Sequence, residues 1–264
     1  MNILAIDCAC SNLSVAVNRG ITPRQTQYDS RLRREKVYSA EIDSAMKQSE
    51  MVMDCIETVM SEATLKPVDL NVILCMRGPG SFTGLRIGYS ISKGLALSLS
   101  VPFIPVPTLE CIALAANLIH GSAETYESKS QFITLSVIEA RKNAFFYAFF
   151  RLGDEGALPA RLTQDKDGDA GQITDDIKLL DTMFPALLIK KIIITGPGSV
   201  LLCKSLPSDL TEKIITNNER RGYAKDLISF ARIKYKLDNT NTPPEFSLYE
   251  PYLHSGPEYN RTPF

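Results

Sequence analysis

The residues with the clearest chemical potential lie in a glycine-rich stretch over positions 76–88. The apolar run Val72–Cys75 leads into Gly78-Pro79-Gly80, a combination typical of a tight turn, because glycine adopts any backbone region and proline fixes φ. Ser81 then stands where a helix N-cap is expected, and the apolar residues after it recur at helical spacing. A strand-to-helix turn of this kind can present backbone N–H groups to a phosphate.

Three interpretations of this stretch are open. A phosphate site would normally carry the lysine of a P-loop, but Ser81-Phe82-Thr83 follows the second glycine. A dinucleotide fingerprint would follow the N-terminal strand, which instead leads into Asp7. Gly84 and Gly88 lie four residues apart on one helix face and could let another helix approach closely. This close packing is the third interpretation, and the plain alternative to all of them is a structural turn followed by a helix.

Asp7 is the second group that could do chemistry. It ends a short apolar strand, and Leu13–Val17 alternates as expected of a hairpin partner. In actin-like ATPases, a strand, an aspartate, a turn and a second strand hold the metal and phosphates of ATP. Here Cys8 and Cys10 stand in the turn, and thiols are poor partners for Mg²⁺ and phosphate. We therefore expect Asp7 to be structural, or at most a weak nucleotide contact.

Cysteine and histidine positions give little support to a metal centre. The six cysteines form no Cys-x-x-Cys pair, and five of them lie in apolar or helical runs. They are expected to be reduced and mostly buried. The two histidines, His120 and His254, are far apart in sequence. We predict no metal site and no cofactor.

Composition is that of an ordinary globular protein. Of 264 residues, 44% are hydrophobic and 22% charged, which suffices for two modest cores. The net charge of −1 argues against a strongly basic nucleic-acid surface. No apolar stretch approaches about 18 residues, and Asp7 interrupts the first apolar run. We expect a cytoplasmic protein that is neither exported nor embedded in a membrane.

The hydrophobic pattern predicts alternating strands and helices in an α/β fold. The first half is predicted in the order βββαβα, with a solvent-facing strand over Arg24–Ser30 and a Met-rich helix from about Lys36 to Ala63. The second half begins with a hairpin around residues 141–143, followed by a loop over Gly153–Gln172. A second glycine-rich turn, Gly196-Pro197-Gly198-Ser199, repeats the first. The other predicted elements are helices over Phe82–Leu99, 107–119, Ile173–Met183 and Gly222–Leu237, and strands over Phe103–Val106 and Ile192–Thr195.

Several of these runs closely resemble the TsaB (YeaZ) family, whose members are bacterial accessory proteins for making threonylcarbamoyladenosine in tRNA. The likeness spans nearly the whole chain, and its specificity rests on residues 78–88. The family usually has hydroxyl residues at the positions of Cys8 and Cys10. The runs that carry the resemblance are Ile3–Asp7, Arg77–Gly88, Lys93–Ala96, Pro107–Glu110, Ile138–Lys142 and Glu250–Leu253.

The resemblance implies an actin-like ATPase fold, also called ASKHA or RNase H-like, with two βββαβα-type half domains. We place these at residues 1–107 and 108–264, with the final helix and tail of the second packing back on the first. It also implies a non-catalytic scaffold that dimerises with a TsaD-like catalytic subunit and recruits a TsaE-like ATPase. The modified adenosine lies next to the anticodon of ANN-decoding tRNAs. tRNA is then contacted only through the complex, and the chain forms a homodimer when alone.

The predicted interface lies on the Met-rich helix from about Lys36 to Ala63 and on the helix over Phe82–Leu99, which carries Gly84 and Gly88 on one face. Asp7, Gly196 and Gly198 are predicted as vestigial nucleotide contacts at most. The alternative is an actin-like small-molecule kinase or ATPase that uses Asp7 to orient metal-bound ATP. The predicted interface residues are Met46, Met53, Phe82, Gly84, Leu85, Gly88 and Ile91.

Overall fold

A computed structural model describes residues 1–20, 36–43, 47–120, 131–141, 143–153, 157–217, 223–237 and 256–257. Its strands are β1 Ile3–Asp7, β2 Leu13–Arg19, β3 Lys36–Ile42, β4 Val72–Gly78, β5 Phe103–Pro107, β6 Phe132–Arg141, β7 Ala144–Arg151, β8 Ala160–Arg161, β9 Lys166–Asp169, β10 Lys191–Thr195 and β11 Ile214–Asn217. Its α-helices are α1 Gln48–Glu62, α2 Phe82–Leu99, α3 Thr108–His120, α4 Ala170–Met183, α5 Ser199–Ser205 and α6 Ala224–Tyr235. Short 3₁₀ turns occupy Pro67–Asp69, Pro185–Leu187 and Ser208–Lys213.

The described chain divides into two compact units. The first contains Met1–Arg77, Ser81–Val106 and the segment with α6. The second contains Gly78–Gly80 and the segment from Pro107 that carries α3 to β11. The last helix thus belongs with the first sheet, although the intervening chain builds the second unit. Among the described residues, no helix is both long and apolar enough to cross a membrane.

The first unit is a five-stranded sheet in the order β3-β2-β1-β4-β5. β1 pairs antiparallel with β2, and parallel with β4. Every residue of β1 is buried, because helices cover both faces of the sheet. On one face Leu4, Ile6 and Ile73 pack in a core shared with α1 and α2. The alternating residues of β1 and β2 face α6 on the other side.

The second unit is a six-stranded sheet built in the order β11-β10-β6-β7-β8, with β9 also paired to β7. β6 and β7 form the predicted antiparallel hairpin, and β10 runs parallel to β6 and β11. One face packs against α4 and α5 through a core that includes Leu135 and Ile194. The other face packs against α3, where Ala116 contacts the cluster around Phe132 and Ile193.

Two secondary-structure predictions are wrong. The predicted helix over Lys36–Ala63 starts too early, because Lys36–Ile42 forms β3 and α1 begins only at Gln48. β3 pairs with β2 along its whole length, and its alternate residues Tyr38, Ala40 and Ile42 pack on the core. The loop predicted over Gly153–Gln172 contains β8 and β9, and α4 starts within it at Ala170. The strand predicted over Arg24–Ser30 lies outside the described residues.

Candidate functional site

Asp7 lies at the end of β1 and has no exposed surface. Its Oδ1 accepts a hydrogen bond from the Ala9 N–H at 3.0 Å, and its Oδ2 accepts one from the Tyr223 N–H at 3.2 Å. Tyr223 is the N-cap residue of α6. The Ser14 Oγ, opposite Asp7 in the β1–β2 ladder, accepts a hydrogen bond from the next amide, Ala224 N–H, at 3.4 Å. Asp7 and Ser14 therefore supply the caps that the first amides of α6 need.

Burial raises the pKa of Asp7 to about 6 from an ordinary 3.8. The two backbone N–H groups oppose this rise, because they stabilise the ionised carboxylate. The negative charges of Asp226 on α6 and Glu41 on β3 add to the rise. At neutral pH the carboxylate is ionised, and its negative charge faces the positive end of the α6 dipole.

The turn after Asp7 is closed by contacts within its own unit. The carbonyl oxygen of Ala9 accepts a hydrogen bond from the Ser81 N–H at 2.6 Å. The carbonyl of Cys10 accepts one from Gln48 Nε2 on α1 at 2.9 Å. The carbonyl of Cys8 lies directly against Gly84 of α2. Both oxygens of Asp7 and the carbonyls of Ala9 and Cys10 thus accept hydrogen bonds from the protein, and the Cys8 carbonyl packs against Gly84, so a metal ion would have to compete with these contacts.

The thiols of Cys8 and Cys10 in this turn have low reactivity. Cys8 and Cys10 are only 1% and 4% exposed. Burial raises the pKa of both thiols well above its usual value, and the neighbouring Asp7 carboxylate adds to the rise. Neutral thiols are weak ligands and weak nucleophiles. Within the described residues, no group of three or more His, Cys, Asp or Glu side chains is arranged to hold a metal ion.

The first glycine-rich turn leads into α2 as the sequence predicts. Gly78 has a φ of 116°, and its N–H donates to the Thr108 Oγ1 at 3.1 Å. Ser81 is the N-cap of α2, and its Oγ accepts a hydrogen bond from the Gly84 N–H at 3.2 Å. The Ser81 side chain thus satisfies one of the first amides of α2.

The bare faces of Gly84 and Gly88 point into the protein. A Cβ on Gly84 would overlap the Cys8 carbonyl oxygen, and one on Gly88 would lie 3.0 Å from the Cys75 sulfur. The idea that these glycines leave room for a partner helix is therefore wrong, since their own unit fills that room. Leu85, also predicted at the interface, is 1% exposed. The position of an interface on these helices stays a prediction.

The outward faces of α1 and α2 carry other apolar side chains. Phe82 and Ile91 are half-buried, and Met53 is 50% exposed. Met46 lies outside the described residues. Sequence periodicity missed Leu97, which is 61% exposed on α2. Leu97 could have been found from the sequence, because it is an apolar residue that lies outside the buried stripe of α2.

The second glycine-rich turn, between β10 and α5, is also filled from within. Gly196 has a φ of 107°, and a Cβ there would overlap the Val137 carbonyl oxygen of β6. A Cβ on Gly198 would lie 2.9 Å from the Glu139 nitrogen. Both glycines thus allow the turn to approach β6 closely. Asp7 belongs to the first unit and these two glycines to the second.

Sequence comparisons identify the chain's relatives. The family model described as TsaD, tRNA N6-adenosine threonylcarbamoyltransferase, matches residues 43–160. The tRNA threonylcarbamoyladenosine biosynthesis protein TsaB of Bacillus subtilis is 35% identical over 46% of this chain and 46% of its own. TsaB of Escherichia coli is 32% identical over 59% of this chain and 58% of its own. The matched regions therefore span about half the length of these curated relatives.

Structural comparison extends the likeness over the whole chain. YeaZ from Pseudomonas aeruginosa has a TM-score of 0.65 at 18% identity, covering 89% of this chain and 92% of that one. A second structure, described as similar to the peptidase YeaZ from the same organism, has the same TM-score and covers 98% and 99%. At this level of identity the match concerns the fold alone, and it confirms the predicted α/β class.

Proposed function

We propose that this chain, which is similar to TsaB (YeaZ) proteins, is a non-catalytic accessory subunit for the threonylcarbamoyladenosine modification of tRNA. The adenosine concerned lies next to the anticodon of ANN-decoding tRNAs, and the reaction takes place in the cytoplasm. The transfer itself is assigned to a TsaD-like partner, with a TsaE-like ATPase completing the complex. This chain contributes the surface on which these partners assemble.

The observation that carries this proposal is the closed turn after Asp7. An ATPase of this fold class needs its first aspartate and adjacent turn open toward metal and phosphate. Here Asp7 holds the start of α6, while Ser81 and Gln48 hold the turn. A kinase or ATPase role would require these contacts to break before nucleotide could enter. The alternative of a small-molecule kinase is therefore the weaker one.

A partner of related architecture is supported by the family model that matches residues 43–160, because its description names the transferase itself. We place the contact surface on the outward faces of α1 and α2. Met53 and Leu97 expose large apolar side chains there, and Phe82 and Ile91 are half-buried. Exposed apolar groups on neighbouring helices are typical of protein interfaces. The same surface is proposed for a homodimer when the partner is absent.

Contact with tRNA is assigned to the complex as a whole. The net charge of −1 provides no general attraction to a phosphate backbone, whose binding needs a cluster of lysine and arginine side chains. Transfer of an acyl group to an adenosine amine also needs a polarising group, and the described residues hold no metal cluster that could supply one.

The proposal is tested by reconstitution with single omissions. The components are this chain, TsaD, TsaE, the enzyme that makes threonylcarbamoyl-adenylate, and an unmodified tRNA. We expect modified adenosine only when all are present, and neither modification nor ATP hydrolysis by this chain alone. Modification without TsaD would refute the accessory role. Unchanged modification without this chain would place it in another pathway.

The interface is tested by Met53→Asp and Leu97→Asp, which put a charge on the proposed surface. Both variants are expected to fold and to lose co-purification with TsaD, because a buried unpaired charge at an interface is costly. Leu179→Asp on α4 is the matched control, since Leu179 is also 50% exposed but lies in the second unit. An unchanged affinity of the first two variants would place the interface elsewhere.

A further inference from the structure

An exposed apolar surface lies in the second unit, where α4 ends and the chain turns toward β10. Met183 is 50% exposed and Leu188 is 70% exposed. Pro185 and Ala186, which lie between them in sequence, are exposed as well. These four residues form the α4–β10 patch. Apolar side chains that are exposed together indicate an interaction surface, whereas single ones need no explanation.

The backbone of the α4–β10 patch is held in place by the residues that alternate with the exposed ones. Phe184 and Leu187 pack on the core of the second unit, and Ile189 is 8% exposed. The Phe184 N–H donates to the Leu180 carbonyl at 2.8 Å, and the Leu187 N–H donates to the Phe184 carbonyl at 3.0 Å. A patch on a fixed backbone loses little conformational entropy when it binds.

Leu188 is the residue of the patch that folding alone explains least. Its φ of 46° and ψ of 55° place it in the left-handed region, which favours glycine and asparagine over leucine. Its apolar side chain is also the most exposed of the patch. Leucine is thus unfavourable here in backbone conformation and in exposure to water. A partner that covers the side chain removes the second disadvantage.

The charges at the two ends of the patch are opposite. Asp181 precedes the patch and Lys190 follows it, and both are exposed. Asp181 Oδ2 accepts a hydrogen bond from Lys213 Nζ at 3.2 Å, but this ion pair is about half exposed and is therefore weak. The carboxylate also has further acceptor positions, so it can bond a second cation. The segment is thus acidic before its apolar part and basic after it.

This order of side chains is complementary to itself. A two-fold axis that crosses the segment at its midpoint brings two copies of it together in antiparallel direction. Asp181 of each copy then faces Lys190 of the other, and Met183 of each copy faces Leu188 of the other. The symmetry forms each of these pairs twice. The net charge of −1 for the whole chain causes no strong repulsion between two copies.

We propose that the α4–β10 patch is a docking surface for a second copy of this chain, which binds through the same patch across a two-fold axis. Met183 and Leu188 form the apolar centre of the contact, and Asp181 and Lys190 form its charged rim. The patch is small, so the dimer is weak and depends on concentration. This contact is separate from the surface proposed on α1 and α2, and it does not depend on the accessory role.

Sedimentation velocity of the full chain over a range of concentrations measures this association. Every sample carries Leu97→Asp, which removes the surface on α1 and α2 from the comparison. If that surface forms no dimer, Leu97→Asp changes nothing, so the two proposals are tested separately. We expect a reversible monomer–dimer equilibrium in this background. A monomer at every concentration up to the solubility limit would overturn the proposal.

Leu188→Asn tests the apolar centre. It is expected to weaken self-association at least about tenfold. Asparagine suits the left-handed conformation better than leucine does, so the variant is expected to fold at least as stably as the background chain. Urea denaturation checks that stability. Unchanged self-association of a folded Leu188→Asn variant would overturn the proposal.

Charge reversal tests the two-fold pairing. Asp181→Lys and Lys190→Asp are each expected to weaken self-association at least about tenfold, because each sets like charges opposite one another twice. An equimolar mixture of the two variants is expected to recover the dimer, since opposite charges then face each other in both contacts. Lys204→Asp, the same change at an exposed lysine on α5, is the matched control and should associate as the background chain does. A mixture that stays monomeric, or an equal loss in Lys204→Asp, would overturn the proposal.

Discussion

The same four residues, Gly-Pro-Gly-Ser, end two strands of this protein and begin two different helices. After β4 the serine, Ser81, is the N-cap, and its side chain bonds the Gly84 N–H at the start of an 18-residue helix. After β10 the N-cap is the glycine, Gly198, and the serine is the first residue of a seven-residue helix. The first glycine of each motif has a positive φ, 116° at Gly78 and 107° at Gly196.

The difference between the two copies shows that the Gly-Pro-Gly-Ser motif specifies a turn, but not which part of the protein packs against that turn. At Gly196 the missing side chain makes room for a carbonyl of β6, and at Gly84, just after the first motif, it makes room for the turn after β1. Both close approaches are made by the protein's own backbone. A glycine-rich strand-to-helix turn in this fold is thus explained by internal packing before any ligand is invoked.

The largest expected effect is that of Gly196→Ala. Alanine at a φ of 107° is strained, and its Cβ would overlap the Val137 carbonyl oxygen. We expect the free energy of unfolding to fall by about 4 kcal/mol. Urea denaturation measures it. A loss below about 1 kcal/mol would mean that the turn is open enough for a ligand. The second glycine-rich turn would then not be filled from within, as the first one is.

Asp7 gives the second effect, which appears in the pH dependence of stability. Its pKa in the folded chain, about 6, lies above the ordinary 3.8, so the folded state binds more protons between these values. The Asp7 contribution is therefore complete below about pH 4 and is lost as pH rises to about 6, by about 3 kcal/mol in total.

Asp7→Asn isolates that contribution. The difference between the unfolding free energies of the unaltered chain and the variant, measured by urea denaturation from pH 4 to pH 8, should fall with rising pH and level off above pH 6. A flat difference would show that the carboxylate is solvated and that the turn after β1 is open.

Gly84→Ala is expected to cost about 2 kcal/mol, because α2 and the turn after β1 must move apart. Gly94→Ala on the same helix is the control. A Cβ on Gly94 meets no atom within 4 Å, so this change should stabilise the protein by about 0.5–1 kcal/mol. Similar effects at both positions would contradict the described packing.

The smallest expected effect belongs to the cap of the first motif. Ser81→Ala removes the acceptor of the Gly84 N–H and should cost about 1 kcal/mol, whereas Ser81→Gly should cost a few tenths. Thermal unfolding followed by circular dichroism checks the order of the two variants. If Ser81→Ala proves harmless, the two motifs do not differ in their caps.

The sequence predicted the elements that carry a local signal. Apolar runs gave β1, β4 and β10, and Ser81 with its apolar periodicity gave the start of α2. β3 was missed because Lys36–Ile42 is half-polar, although its alternation of period two was present. β9 has no apolar residue and forms through its pairing with Ala144–Tyr147 of β7. Its own sequence therefore gives no signal from which a strand could be predicted.

The candidate site was predictable only in part. Asp7 stood out by its place at a strand end, and the cysteines beside it indicated a weak nucleotide site. One of its two hydrogen-bond donors is the N–H of Tyr223, 216 positions away, and backbone amides leave no residue signature. The hydrogen bond from Gln48 to the Cys10 carbonyl was also not predictable, because the sequence analysis placed Gln48 in the middle of a helix and not at its start.

The central claim, that the turn after Asp7 is closed by the protein itself, is tested most directly by calorimetric titration of the purified chain with Mg-ATP. We expect no measurable heat of binding for the unaltered chain. Tight, Mg²⁺-dependent binding that Asp7→Asn abolishes, in a variant that still folds, would contradict the account and favour an actin-like ATPase or kinase.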